Sequence, residues 1–203
     1  YPTLSLYQPV VDGDANTSGP VFEVNGANAT FEAFGLDFDA TPGRAIVQAN
    51  GGSAYVYDTY LSDYPTSFEA PFQATEGGFL HLGNVGGDTL SLFDQGETAP
   101  TFVKLASSDA EIHGGNALHF GLSEIDGGSL QVEGFELSAV TRTPAAAFIS
   151  ATVDLQRTRV HIATNDQYVM MQSTDLTLVE SLLHSEDPFA TGSGYPFELY
   201  TSS

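Results

Sequence analysis

Apolar and polar positions alternate along most of this chain, in short runs broken by Gly, Asn and Asp. That is the period of a half-buried β-strand. "VFEVNGANATFEAF" (21–34) predicts two strands around Asn25-Gly26, a pair that tolerates the positive φ of a tight hairpin turn. "GGFLHLGNVGGDTLSLF" (77–93) predicts a second hairpin, with Leu80 and Leu82 facing Leu90 and Leu92 across Gly86-Gly87. "LHFGLSEIDGGSLQVEGFELSAV" (118–140) repeats the arrangement across Asp126-Gly127-Gly128. There Leu130 and Val132 alternate, and Phe135 and Leu137 resume after a bulge at Gly134. "FISATVDLQ", "TRVHIAT" and "QYVMMQS" predict three more strands, the last two joined at Asn165-Asp166.

One segment breaks the pattern. "STDLTLVESLLHSEDP" (173–188) offers Ser173, Thr174 or Asp175 as a helix cap, Leu176, Val179 and Leu183 at helical spacing, and Pro188 as a stop. A strand through Leu176 and Leu178 competes with it. The expected fold is a single all-β domain, a β-sandwich or jelly roll, with at most one short helix at about 174–184. No repeat of fixed period, low-complexity run or linker divides the chain, and 203 residues suffice for one large β domain.

Charge changes the picture. Twenty-six acidic residues face five basic ones, Arg44, Lys104, Arg142, Arg157 and Arg159, for a net charge of −21. Nucleic acid and anionic lipid both need basic residues to displace counterions, so neither is an expected partner. The absence of cysteine removes disulfides, thiolate chemistry and Cys-type zinc sites. No apolar run reaches the length of a membrane span; "TPAAAFISATV" (143–153) comes nearest. A chain that begins at Tyr1 rather than Met suggests removal of a leader, hence an extracellular or cell-surface protein.

The N-terminus has its own character. "YPTLSLYQPVV" carries no charge over residues 1–11. Leu4, Leu6 and Val10 fall on one face of a strand, and Pro2 and Pro9 cannot donate ladder hydrogen bonds, which places it at an edge. It is either the first edge strand of its own sheet or a segment that adds to a neighbouring copy's open edge. Residues 1–11 are therefore set apart from an all-β domain over 12–203.

Three readings compete for "DGDANTSGPVFE" (12–23). Asp12, Asp14, Asn16, Ser18 and Glu23 have the spacing of a calcium loop, which gathers closely placed oxygens. Thr17 stands where such a loop needs Gly, and the flanks read as strands. Asn16-Thr17-Ser18 is also a glycosylation sequon, as is Asn28-Ala29-Thr30. A plain acidic turn is the third reading.

Catalytic signals are missing. No G-x-S-x-G elbow or phosphate-binding Gly loop is present, and with so many acids a pair such as Glu133 and Glu136 signifies nothing by itself. "EIHGGNALHFGLSE" holds His113 and His119 near Glu111 and Glu124, but the spacing matches no metal motif, and ordinary hydrogen-bonding histidines are expected. Tyr55, Tyr57, Tyr60 and Tyr64 could form an aromatic face for a glycan, beside Asp58 and Asp63. The expected function is an exported, acidic, non-enzymatic structural or surface protein that self-associates, into a filament if the N-terminal strand is exchanged. The alternative is a calcium-dependent carbohydrate-binding module.

Overall fold

The computed structural model describes residues 3–8, 10–11, 19–38, 44–65, 69–89, 100–140, 146–162, 169–185 and 197–200. The chain coils through three flat faces and returns to the first. It opens with β1 (Thr3–Tyr7), β2 (Val10–Val11) and β3 (Phe22–Asn25). Next come β4 (Thr30–Phe34), β5 (Asp37–Phe38) and β6 (Val47–Asn50), then β7 (Ser53–Tyr57), β8 (Tyr60–Tyr64) and β9 (Phe72–Thr75). β10 (Phe79–Gly83) and β11 (Gly86–Thr89) lead into three bent strands that serve two faces each. These are β12 (Thr101–His113), β14 (Gly121–Glu133) and β16 (Ala146–Gln156), separated by β13 (Asn116–Leu118) and β15 (Glu136–Val140). β17 (Arg159–Ile162), β18 (Val169–Gln172), β19 (Asp175–Val179), β20 (Leu182–Ser185) and β21 (Phe197–Tyr200) finish the coil.

Every ladder between these strands is parallel, each strand lying on its counterpart one turn away. The result is an all-β parallel solenoid, which overturns the expected β-sandwich or jelly roll. The expected hairpins are overturned with it. β3 pairs with β6 while β4 pairs with β1 and β7, so Asn25-Gly26 turns a corner between faces. Leu80 and Leu82 lie between Ala54 and Val56 on one side and Ala110 and Ile112 on the other. Leu90 and Leu92 lie outside the described residues.

The expected helix at about 174–184 is also overturned: β19 and β20 occupy it. Period two prevailed because the corners on either side of β19 are fixed. Ser173 and Glu180 take positive φ of 50° and 51°. Just after them, the Thr174 hydroxyl donates to Phe148 O or Gln172 O, and the Ser181 hydroxyl to Leu155 O or Val179 O. A helix has no place for two left-handed residues seven apart.

That corner is the repeat the sequence concealed. Gln8, Gly35, Asp58, Asn84, Gly114, Gly134, Arg157 and Glu180 stack at one corner, all with φ between 46° and 69°. Each N–H from Gln8 to Arg157 donates to the carbonyl ending the first-face strand of the next turn, for example Asp58 to Gly83 O and Arg157 to Val179 O. Only three of the eight are glycine; the hydrogen bonds hold the others in a conformation that L-residues adopt at a cost.

Inward columns make the core. Phe31, Ala54, Leu80, Ala110, Leu130 and Val153 lie in register, as do Ala33, Val56, Leu82, Ile112, Val132 and Leu155, and all are buried. Phe72, Phe102, Phe120 and Phe135 meet inside with ring centroids 5.3–5.4 Å apart around Phe102. Each large side chain buried this way contributes about 1.5–3 kcal/mol. No helix of the described residues is long and apolar enough to cross a membrane.

Candidate functional site

On the first face, made of β1, β4, β7, β10, residues 108–113, 128–133 and 151–156, and β19, the outward positions form straight columns. One runs Ser5, Glu32, Tyr55, His81, Glu111, Gln131, Asp154, Thr177. Its neighbour runs Tyr7, Phe34, Tyr57, Gly83, His113, Glu133, Gln156, Val179. Aromatic rings cluster toward the N-terminus at Tyr7, Phe34, Tyr55 and Tyr57, and charged or amide groups follow at Glu111, Gln131, Glu133, Asp154 and Gln156.

The rings stack on each other. Tyr7 and Phe34 lie 5.0 Å apart at 2°, and Phe34 and Tyr57 4.8 Å apart at 14°. The Tyr57 ring spreads over the next turn, where a Cβ on Gly83 would stand 2.5 Å from it, so glycine makes the space. Desolvation, then the charge of Glu32 and the neighbouring Tyr55, pushes the Tyr57 phenol above its ordinary range. Stacked in this way the rings turn edges and hydroxyls to solvent rather than faces. A sugar stacks on a ring face, and only Tyr7, 72% exposed, keeps one side uncovered by this ladder.

Beyond the rings lies a histidine–carboxylate cluster. His81 packs against Tyr57 at 5.4 Å and against His113 at 5.1 Å between centroids. His81 Nδ1 is 3.2 Å from Glu111 Oε2, and His113 Nε2 is 3.6 Å from the same oxygen. The other His113 nitrogen, Nδ1, faces Glu133 Oε2 at 3.4 Å, and Arg157 in turn binds Glu133. Register explains the meeting: His81 pairs with Glu111, and Gly83 pairs with His113. His81 and Glu111 are 30 residues apart in sequence.

The two ends of the coil are the other exposed feature. Inward columns run out at both. Leu4, in line with Phe31, is 52% exposed, and Leu178, in line with Leu155, is 47% exposed. Val179 and Leu182 beside it are 46% and 48% exposed. Among the described residues nothing pairs with the outer edge of β1, β19 or β20.

The residues singled out from sequence are scattered. Asp12, Asp14, Asn16 and Ser18 lie outside the described residues, so the calcium reading and the Asn16 sequon are untouched. Glu23 stands exposed on β3, its carboxylate accepting from Asn50 Nδ2 at 2.8 Å. Asn28 is exposed in the turn before β4. Leu6 is half-buried against the core, and Val10 pairs through β2 with Asp37. Tyr55 and Tyr57 share the first face, Tyr60 is exposed on the next, and Tyr64 is buried. Burial therefore removes Tyr64 from any exposed face, Asp63 is exposed, and Asp58 accepts from Asn84 Nδ2 at 2.9 Å.

His119 is absent from the histidine cluster, and desolvation lowers its pKa against the opposing pull of Asp88. His81 was the residue that sequence reasoning missed as a partner of His113. Its signal was the alternation Phe79, His81, Gly83, which put all three on one outward face; only knowledge of the parallel register could have joined it to Glu111 and His113. No protein-family model matches the chain, and no curated protein and no solved structure matches it either.

Proposed function

We propose that this chain is an acidic, non-enzymatic structural protein of the cell surface or extracellular space, and that its copies stack end to end into a continuous solenoid. The observation that carries the reading is the match between the two open ends. The described strands begin on the first face with β1 and finish on the third with β21, so the next strand in the cycle belongs on the first face. β1 and β19 are both five residues long and share one parity. Laid on β19 of a second copy, β1 would set Leu4 on Leu176, Leu6 on Leu178 and Tyr7 on Val179, extending the existing columns. Main-chain hydrogen bonds would supply affinity and the apolar columns would exclude water. Contact between unlike ends does not close on itself and yields filaments.

The charge of −21 works against association and sets its salt dependence. β1 has no charged residue and β19 has one, Asp175, so most of the repulsion comes from the faces rather than the join, and salt screens it. The exposed Asn28 sequon suits export to a host that glycosylates, which intact mass would show.

Two variants test the stacking. Leu4→Asp and Leu178→Asp each place a carboxylate in one end and leave the other intact. Each alone should give monomers by light scattering where the unmodified protein forms long species. Mixed, they should form dimers and nothing larger, because one good end of each kind remains. Unmodified protein that stays monomeric at high concentration and high salt, or a mixture that behaves as two monomers, overturns the reading.

A further inference from the structure

We propose that His81, Glu111 and His113 form a binding site for a first-row divalent metal ion of zinc type, with Glu133 holding His113 in the ligating orientation. The three ligand atoms come from two adjacent turns and lie within 4.8 Å of one another. In a tetrahedral site with bonds of about 2.0–2.1 Å, ligand atoms stand about 3.3–3.4 Å apart. The two separations to Glu111 Oε2, 3.2 and 3.6 Å, bracket that value.

Hydrogen-bond accounting adds an independent argument. Both nitrogens of His113 face carboxylates, Nδ1 toward Glu133 and Nε2 toward Glu111. A neutral imidazole has one N–H. If Nδ1–H donates to Glu133, the Nε2 lone pair points at the Glu111 carboxylate, an arrangement that either a second ring proton or a metal ion between them satisfies. The same Glu111 oxygen is also the partner of His81 Nδ1, so one ion at this point would meet all three ligands. The pair Glu133–His113 has the carboxylate–histidine form that orients metal-bound imidazole elsewhere, and Arg157 holds Glu133 from the other side. Two imidazoles and one carboxylate suit zinc, nickel or copper; calcium wants six to eight oxygens. The side chains are partly exposed, 21–39%, which leaves a fourth position for water or for a donor from a bound molecule.

Titration calorimetry with zinc chloride, in buffer holding excess magnesium to occupy the acidic surface, tests the site. The unmodified protein should bind one zinc per chain. The double variant His81→Gln with His113→Gln should lose that binding while keeping its circular dichroism spectrum. Glu133→Gln should keep the stoichiometry and weaken affinity about 10–100-fold. A second measurement does not depend on variants. Zinc should shift the ring-nitrogen NMR signals of His81 and His113 and leave the other three of the five histidines in place. No zinc uptake by the unmodified protein, undiminished uptake by the double variant, or shifts at other histidines would each overturn the proposal.

Discussion

Leu155 and Leu178 occupy the same inward column, one turn apart. Leu155 is 1% exposed and Leu178 is 47% exposed. Chemistry and orientation are the same; only the presence of a further turn differs. A solenoid buries each residue between the turns before and after it, so an interior turn is covered on both sides and an end turn on one. In the middle the columns are ordinary core, and at the ends the identical columns meet solvent.

The largest effect that sharpens this contrast comes from adding one carbon. A Cβ on Gly128 would stand 1.9 Å from the Ser108 carbonyl oxygen of the preceding turn, with φ at 103° as well. Gly128→Ala should cost about 4 kcal/mol or more and yield little folded protein. Gly134 also has positive φ, but nothing lies within 4 Å of its added carbon, so Gly134→Ala should cost about 1–2 kcal/mol. Urea unfolding measures both. Equal losses would mean that the turns are not packed as closely as the backbone implies.

Next comes removal of carbon from one column at two depths. Ile112→Ala, between two turns, should lose about 2–5 kcal/mol. Leu178→Ala should lose under about 1 kcal/mol in dilute, monomeric protein, because half of that side chain is already in water. An equal loss at both sites would show that Leu178 is covered, which would remove the distinction between middle and end.

These particular residues also show what could be read from the sequence. Leu130 and Val132 announced strands by alternation, and Gly134 announced a break after them. Alternation says which side chains share a face and nothing about which strand lies alongside. Asn25-Gly26 fits a hairpin turn and a solenoid corner equally well, since both need positive φ. The repeat stayed hidden because its length varies. Register partners are 20 residues apart at Asp109 and Ser129 but 27 at Ser5 and Glu32 and 30 at His81 and Glu111. The corner position is filled by Gln, Asp, Asn, Arg, Glu or Gly, so no single letter marks it. The histidine cluster was illegible for the same reason, as its members meet only across the parallel register. The uncharged strand at Leu4 and Leu6 was legible because lack of charge needs no register to be noticed.

A tyrosine pair on one strand extends the contrast to pH. Tyr64 is buried, and its hydroxyl lies 2.7 Å from Arg44 O and 2.8 Å from Glu69 O, its single proton serving one at a time. Tyr64→Phe leaves those carbonyls short of a donor and should cost about 1–3 kcal/mol, whereas Tyr60→Phe, at a half-exposed site, should be near neutral. Burial, and secondarily the Glu69 carboxylate, hold the Tyr64 phenol above its ordinary 10.0. With the folded pKa above the unfolded one, this contribution is complete below about pH 10 and lost as the pH rises beyond it. Tyr64→Phe should flatten that alkaline fall. An unchanged slope in the variant would place the sensitivity elsewhere.

The smallest effect tests the end against the middle within the aromatic ladder. Phe34 has a ring on each side, Tyr7 and Tyr57, while Tyr7 has Phe34 alone among the described residues. Replacement by Leu keeps much of the apolar area and removes the ring–ring term, about 0.5–1.5 kcal/mol per pair and at the low end where the rings meet solvent. In monomeric protein Phe34→Leu should therefore lose about twice what Tyr7→Leu loses, roughly 1 against 0.5 kcal/mol. In stacked protein the uncovered side of Tyr7 would meet Val179 of the next copy, and the two losses should converge. Melting curves at low and high protein concentration give both comparisons. A Tyr7→Leu cost that does not grow with concentration would mean that no second copy reaches that ring, and that Tyr7 ends its ladder in water.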